Sequence, residues 1–123
     1  MAIENTGDFL MSEFTYLFRG REISPSAEQM QKTMQKWVAW FKELGAKGHL
    51  KDPGHPLEHT GKVVSGKQKA VNDGPYAEAK DVVGGYIVVE AADLNQAVEL
   101  SKGCPILEVG GSVEVRPNQK INM

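Results

Sequence analysis

Residues 72–91 have the sequence NDGPYAEAKDVVGGYIVVEA, which joins a tight-turn motif to the clearest strand pattern in the chain. The Asp-Gly-Pro of residues 73–75 is typical of turns, because each of these residue types favours a turn backbone. Residues 82–91 are mostly apolar. On an extended chain successive side chains point to opposite faces, so Tyr86 lies on one face and Ile87 on the other. The stretch therefore predicts a polar loop that leads into a strand with apolar side chains on both faces.

The composition is that of one globular domain. The chain has 123 residues, of which 41% are hydrophobic and 24% are charged, and this length predicts a single core without disulfides or metal. The formal net charge is −2, which gives no field that would attract nucleic acid or an anionic membrane. No nucleic-acid-binding motif occurs in the sequence, so a nucleic-acid partner is not expected.

Cys104 is the only cysteine, which excludes an internal disulfide and fits a reducing compartment. The N-terminus lacks the basic start and apolar run of a secretory signal. No apolar segment approaches the ~20 residues that a membrane helix needs. We therefore expect a cytoplasmic protein with no membrane partner.

The first predicted strand is FTYLFR at residues 14–19. Phe14, Tyr16 and Phe18 share one face, and Leu17 lies on the other. Because both faces carry apolar side chains, the strand is expected at the centre of a sheet.

A helix of about 20 residues is predicted next. It begins either at Ser24, followed by Pro25, or at Ser26, whose capping-box partner would be Gln29, and Gly45 is its predicted end. Its apolar residues recur at helical spacing and predict one buried stripe: Met30, Met34, Trp37, Val38, Phe41 and Leu44. We expect this stripe to belong to the core, although its Trp and Met side chains also suit a ligand cavity.

All three histidines of the chain lie in residues 49–59, HLKDPGHPLEH, together with two prolines. The prolines argue against a regular central strand, so we expect a solvent-exposed loop or the edge of a pocket. The histidines, with Asp52 and Glu58, also suit a metal site, but His55 and His59 would lie ~13 Å apart on an extended chain. A metal is therefore the less favoured alternative.

A hairpin and a second helix follow. Residues 60–64 and 68–72 predict two strands joined through a Ser-Gly-Lys turn at 65–67. Asp93 and Gln96 predict the N-terminal cap of the helix. Four residues recur at helical spacing and predict its buried side: Leu94, Ala97, Val98 and Ser101.

Residues 106–109 and 112–115 supply the last predicted strand material. The order strand, helix, hairpin, strand, helix, strand is the split βαβ pattern of an α+β, ferredoxin-like fold with an antiparallel sheet. We assign this domain to residues 14–117, with a flexible arm at 1–13 and a tail at 118–123. Two helices cover only one face of such a sheet, so we expect the other face to pair with that of a second subunit in a homodimer.

The polar turn at residues 73–75 is the strongest candidate site. Asp73 is followed by Tyr76, and a carboxylate beside a phenol suits a general base and a hydrogen-bond donor. Gly84 and Gly85 lack side chains, so a substrate could approach the strand closely there. The alternative is that Asp73 only accepts hydrogen bonds from backbone amides of its own turn.

Arg19 and His49 are further candidates for binding substrate. The guanidinium of Arg19 suits an anionic substrate, and His49 suits an acid or base if its segment folds inward. A surface role is the alternative for each. The sequence shows no His or Lys arranged to stabilise a thiolate at Cys104, so we expect this residue to be a buried small hydrophobe. No phosphate-binding or serine-hydrolase motif occurs, and no cofactor is expected.

Four segments share the pattern of a known family: DGPYAEAK at 73–80, VVGGY at 82–86, GCP at 103–105 and GSVEVRP at 111–117. They closely resemble the DGPF branch of the YCII-related family, with Tyr76 where that branch usually has Phe. The resemblance covers roughly residues 13–117. It implies a ferredoxin-like dimeric α/β barrel and a family in which enzymatic activity is suspected rather than assigned.

The resemblance transfers only one site residue. YCII proteins proper resemble enzymes with a His–Asp pair whose His lies on the first helix. This chain has no histidine between Ser24 and Leu44, so only Asp73 carries over by motif. The DGPF branch is often associated with extracytoplasmic-function sigma factors, which implies a regulatory alternative.

We therefore hold two hypotheses about function. In the first, the protein is a cofactor-free lyase or isomerase, in which Asp73 is the acid or base and Tyr76 donates a hydrogen bond. Arg19 or His49 would anchor a small-molecule substrate in a pocket beside the turn. In the second, it is a non-catalytic module that binds a small molecule or a sigma-factor-type protein.

Overall fold

The structure is a computed structural model that describes residues 11–20, 26–74 and 81–121. Its elements in chain order are β1 (Ser12–Arg19), α1 (Ala27–Ala46), β2 (Leu50–Pro56), β3 (Gly61–Ser65), β4 (Ala70–Gly74), β5 (Val83–Ala91), α2 (Leu94–Ser101), a 3₁₀ helix (Pro105–Val109) and β6 (Ser112–Pro117). Neither α-helix in these ranges is long and apolar enough to cross a membrane.

Four strands form one antiparallel sheet in the order β2-β5-β1-β6, and both helices contribute to the core on one of its faces. The strands β3 and β4 pair separately as the predicted hairpin, with its turn at residues 66–69. This is the predicted ferredoxin-like α+β fold, with the hairpin inserted before the third strand of the main sheet. β1 lies between β5 and β6, in the central position that its two apolar faces predict.

The core forms where alternate residues of β1 and β5 meet the helices. Phe14 pairs with Val89, and Tyr16 pairs with Ile87, and all four side chains are buried. Leu17, between two buried neighbours in β1, points to the opposite face and is half-buried. Because a slip of one residue would exchange the two faces, the burial of these pairs fixes the register of the sheet.

Both helices begin at predicted caps. The hydroxyl of Ser26 accepts a hydrogen bond from the Gln29 backbone N–H at 3.1 Å, which confirms one of the two predicted starts of α1. The other predicted start, at residues 24–25, lies outside the described residues. At α2, the Asp93 carboxylate accepts from the Gln96 backbone N–H at 2.8 Å. Such caps satisfy N–H groups that a helix leaves without partners at its start.

The C-terminus of α1 lies one residue beyond its predicted end. Gly45 belongs to the last turn, and the cap residue is Lys47, whose N–H donates to the carbonyl of Glu43. The left-handed residue that follows is Gly48, with φ +79°. Glycine adopts this backbone conformation without steric cost, so the chain turns there toward β2.

The buried face of α1 differs from the predicted stripe. Trp40, which the stripe omits, and Leu44 are buried, whereas Met30, Met34 and Val38 are exposed. The large Trp40 ring occupies the centre of the buried face, and on a helix with 3.6 residues per turn this places Val38 toward the outside. The two methionines lie in the N-terminal half of α1, and Met34 lines the cavity described below. The prediction was therefore wrong for three of its six residues.

Residues 50–56 form an edge strand, where a loop was expected. β2 pairs with β5, and its register shifts on both sides of Asp52. The Asp52 carboxylate accepts a hydrogen bond from the Gly54 backbone N–H at 2.8 Å, and Gly54 has φ +56°. Prolines exclude a central strand, but an edge strand tolerates them where the N–H would face solvent or a bulge.

Two further predictions were wrong in the C-terminal part. Leu94 and Val98 of α2 are exposed, because this short helix contacts the sheet mainly through the small, fully buried Ala97. Residues 106–109 belong to a 3₁₀ helix, where a strand was expected. The proline at the start of that helix fixes a helical φ, and Gly110, with φ +86°, ends it.

Replacing Tyr16 by Phe is expected to lower the free energy of unfolding. It is also expected to make that free energy depend less on pH above about pH 10. The buried hydroxyl donates to the carbonyl of Ala97, so its loss should cost about 1–2 kcal/mol at pH 7. Burial, and then the nearby Cys104, raise the pKa of Tyr16 above that of an exposed phenol. Its stabilising contribution is therefore complete below about pH 10 and is lost as the pH rises further.

Urea unfolding between pH 7 and pH 11 checks this expectation, with Tyr86→Phe as a matched control at a half-buried position. An alkaline loss of stability that is equally steep in Tyr16→Phe and in the wild type would contradict it.

Candidate functional site

Asp73, the strongest candidate from the sequence, lies on the hairpin. It is part of β4, where a turn was expected, and it pairs with Lys62 of β3. The Lys62 ammonium donates to its carboxylate at 2.5 Å, and 89% of the Asp73 side chain is exposed. Its intended partner Tyr76 lies outside the described residues. The catalytic role of this pair therefore stays a prediction.

Arg19 lies at the end of β1 and has two partners. Its Nε donates to the Glu114 carboxylate at 2.8 Å, and one terminal nitrogen donates to the carbonyl of Asp81 at 2.6 Å. Glu114 also accepts from Arg116 at 3.0 Å. The hydrogen bond from Arg19 and then the one from Arg116 lower the pKa of the Glu114 carboxyl. The guanidinium of Arg19 is thus engaged within the protein.

His49 lies just before β2 and is half-buried. Its Nδ1 is 2.8 Å from the carbonyl oxygen of Glu90, so the ring donates there when Nδ1 carries the proton. Neither His49 nor Arg19 nor Asp73 lines the cavity described next. The structure does not bring these three candidates together.

The cavity lies between α1, β2 and the adjoining ends of β1 and β5. Its volume is about 430 Å³, within the range of small-molecule sites. Apolar and aromatic side chains dominate its wall. The lining residues are Phe18, Gly20, Met34, Trp37, Phe41, Pro53, His55, Pro56, Leu57, His59, Gly84, Gly85, Tyr86, Ile87 and Ile106.

Aromatic rings from two elements form the inner wall. The Trp37 ring of α1 lies 5.0 Å from the Phe18 ring of β1, centroid to centroid, at an interplanar angle of 80°. Phe41, one turn further along α1, lies 5.9 Å from Trp37 at 82°. Such edge-to-face pairs fix the ring positions beyond what burial alone provides.

Three residues with titratable side chains line this cavity: His55, His59 and Tyr86. His55 belongs to β2 and contacts the Tyr86 ring of β5 edge-to-face, at 6.3 Å and 64°. Both histidines are exposed, so they lie where the cavity meets solvent. The sequence predicted a solvent-exposed loop or a pocket edge for their segment, with a metal site as the less favoured alternative, and both histidines line the cavity. Within the described ranges, no three His, Cys, Asp or Glu side chains form a metal-binding cluster.

Glycines allow β2 and β5 to approach each other beside the cavity. A Cβ atom on Gly54 would lie 1.8 Å from the Tyr86 carbonyl oxygen, and one on Gly85 would lie 3.1 Å from the His55 carbonyl oxygen. The close approach expected at the glycine pair is therefore made, at Gly85, by the backbone of β2. At Gly84 a Cβ atom would meet only ordinary contacts, 3.7 Å or more away. Both glycines lie in the cavity wall.

Comparison with known proteins finds a family match for most of the chain. The model of the YCII-related domain matches residues 14–119. One similar solved structure is 5-chloro-2-hydroxyhydroquinone dehydrochlorinase from Burkholderia phenoliruptrix AC1100, in complex with 2,5-dihydroxybenzoquinone. It is 16% identical, with a TM-score of 0.44, and the alignment covers 89% of this chain and 95% of that one. No match was found among functionally curated proteins.

Gly54→Ala is expected to disrupt the β2 side of the cavity. The new Cβ would clash with the Tyr86 carbonyl at a backbone that already has φ +56°, and we expect a loss of roughly 2 kcal/mol or more. Gly45→Ala is the matched control, because its Cβ meets no atom within 4 Å inside a helix. That variant should gain about 0.5–1 kcal/mol.

Thermal and urea unfolding of both variants measure the difference. An unchanged stability of Gly54→Ala would show that β2 does not pack against β5 in this way.

Proposed function

The chain belongs to the YCII-related family, and we propose that it is a small-molecule enzyme of the lyase or isomerase kind whose substrate binds in the cavity between α1, β2 and β5. One observation carries the proposal. Two histidines, His55 and His59, are exposed and line a cavity of about 430 Å³ whose wall is otherwise mostly apolar. This combination supplies acid–base groups beside a mostly apolar surface.

Imidazole suits lyase and isomerase chemistry because its ordinary pKa, about 6.5, lies close to neutral pH. An unprotonated ring nitrogen can take a proton from a C–H or O–H bond, and a protonated one can return a proton to another atom. In an elimination, the electrons of the broken C–H bond form a double bond while the leaving group departs with a proton. His55 and His59 are the described cavity residues that suit these two steps.

The sequence motif gives a competing proposal for where the chemistry occurs. In it, Asp73 is the acid or base, Tyr76 donates a hydrogen bond, and Arg19 or His49 anchors the substrate. An exposed carboxylate bound to Lys62 is a weaker acid–base candidate than an imidazole at a cavity, so we favour the histidines.

Hydrogen–deuterium exchange at carbon separates the two proposals. The protein is incubated in D₂O with a mixture of small carbonyl compounds and phenols, and deuterium uptake is followed by NMR. We expect His55→Gln and His59→Gln to slow the catalysed exchange by roughly 10²–10⁴-fold, as expected for removal of an acid or base. Asp73→Asn is the matched control and should exchange at the wild-type rate. Loss of exchange in Asp73→Asn, with both histidine variants unaffected, would place the chemistry at the motif.

We further propose that the protein is a homodimer that pairs the open faces of two sheets. Leu17 of β1 and Val88 of β5 lie on the face opposite the helices, and both are half-buried in the single chain. Burying this face against its copy would remove apolar surface from water, and a symmetric contact needs only one patch per subunit.

Val88→Glu is therefore expected to convert the dimer to a monomer, because a carboxylate would be buried in the interface without a partner. Light scattering after size-exclusion chromatography measures the mass. The control is Val64→Glu, at a position that is 63% exposed on the hairpin. A dimer that persists in Val88→Glu would assign the interface elsewhere.

The second candidate function is a non-catalytic module that binds a sigma-factor-type protein. The hairpin favours it, since Val64 and Val71 face each other across β3 and β4 and are 63% and 61% exposed. This candidate predicts a complex with a purified extracytoplasmic-function sigma factor that Val64→Asp breaks and that the two histidine variants leave intact. Absence of any such complex would remove this candidate.

A further inference from the structure

We propose that the ligand of the cavity is a planar aromatic molecule with one oxygen substituent, of the phenol type. The ring would stack against Trp37, and the oxygen would face His55 or His59 at the mouth. The inference depends on the proposed function only for its location, because it concerns binding and requires no turnover.

The first argument comes from the ring contacts of Trp37. Its described neighbours Phe18, Trp40 and Phe41 meet it at interplanar angles of 80°, 73° and 82°, so all three are edge-to-face contacts. Aromatic rings also favour offset parallel stacking, and no described ring takes that arrangement with Trp37. A flat ligand in the cavity can supply it.

Trp40 provides an internal comparison. It stacks on Tyr16, with centroids 6.2 Å apart and an interplanar angle of 13°, and it is buried. The neighbouring Trp37 has no such stacking partner among the described residues, is half-buried, and lines the cavity. Trp40 thus has a parallel stacking partner within the protein, whereas a ligand in the cavity could supply one for Trp37.

The second argument is the charge of the lining. It contains no Asp, Glu, Lys or Arg among the described residues, and its titratable groups are His55, His59 and Tyr86. Among the described residues, none would give a phosphate or a dicarboxylate a guanidinium or ammonium partner there, and burying an unpaired charge is costly. A single hydroxyl suits an imidazole, which can accept its proton or donate to its oxygen.

Size and access agree with this class of ligand. A cavity of about 150 Å³ already holds benzene in another protein. A cavity of about 430 Å³ therefore has room for one substituted ring. Met34 and Leu57 line it and are 58% and 46% exposed, so apolar side chains flank its opening and can contact an entering ring.

Phenol and cyclohexanol form the test pair, because they share a hydroxyl and a similar size and differ in aromaticity. Binding to the full chain is measured by ligand-observed NMR titration, and its location by the two tryptophan indole N–H signals. We expect phenol to bind roughly three- to tenfold more tightly than cyclohexanol, from the usual strength of aromatic stacking. The larger shift should occur at the indole of Trp37 and the smaller at that of Trp40.

Trp37→Leu should abolish the preference for phenol while retaining cyclohexanol binding, and Val38→Ala, on the same helix, should leave both unchanged. Equal affinities for the two alcohols in the wild type, or a phenol response that Trp37→Leu leaves intact, would overturn the inference. If the histidine variants lose exchange but phenol shows no preference, the enzyme proposal stands and the aromatic class fails. If phenol binds more tightly than cyclohexanol but no catalysed exchange is found, the aromatic class stands and the enzyme proposal fails.

Discussion

Tyr16 holds both helices to the centre of the sheet. Its ring stacks on Trp40 of α1, and its hydroxyl donates to the carbonyl of Ala97 in α2. A fully buried phenol needs such a partner, because leaving its hydroxyl unsatisfied would cost more than the hydrogen bond gains. The side chain therefore fixes where each helix lies as well as how deeply it packs. This position of α1 brings Trp37 over Phe18 at the end of β1, where the cavity begins.

The second constraint is the irregular edge of the sheet. β2 carries prolines and a left-handed glycine, so its ladder with β5 is interrupted, and Gly54 and Gly85 let the two backbones approach closely. His55 belongs to this strand and His59 lies beyond its end, and both line the cavity. The aromatic wall thus depends on α1, and the polar mouth depends on β2.

Much of the fold could be predicted from local patterns. The apolar faces of β1 predicted its central position, and the apolar pattern of residues 82–91 predicted β5. Ser26 was one of two predicted starts of α1, and Asp93 was the predicted cap of α2. These features depend on neighbours in sequence. The orientation of α1 could not be predicted in this way. It depends on the contact between Trp40 and Tyr16, which are 24 positions apart, and helical spacing alone allowed another stripe.

The candidate site was less predictable for a related reason. Asp73 stands in the most distinctive motif, yet its described partner is Lys62 on a hairpin. The cavity is assembled from α1, β1, β2 and β5, which are distant in sequence and carry no shared motif. The prolines around His55 predicted a loop. His55 instead belongs to an edge strand, where it pairs with Tyr86, and this pairing depends on a residue 31 positions away. Of the glycine pair, Gly85 lies where the backbone of β2 approaches, whereas Gly84 has only ordinary contacts, and a role in binding substrate stays a prediction for both.

We propose that ligands bind between α1 and the edge of the sheet. A crystal structure of the protein soaked with phenol tests this proposal. We expect electron density for a ring packed against Trp37, with its oxygen directed toward His55 or His59. A ring bound instead beside Asp73 on the hairpin, with the cavity unoccupied, would contradict it.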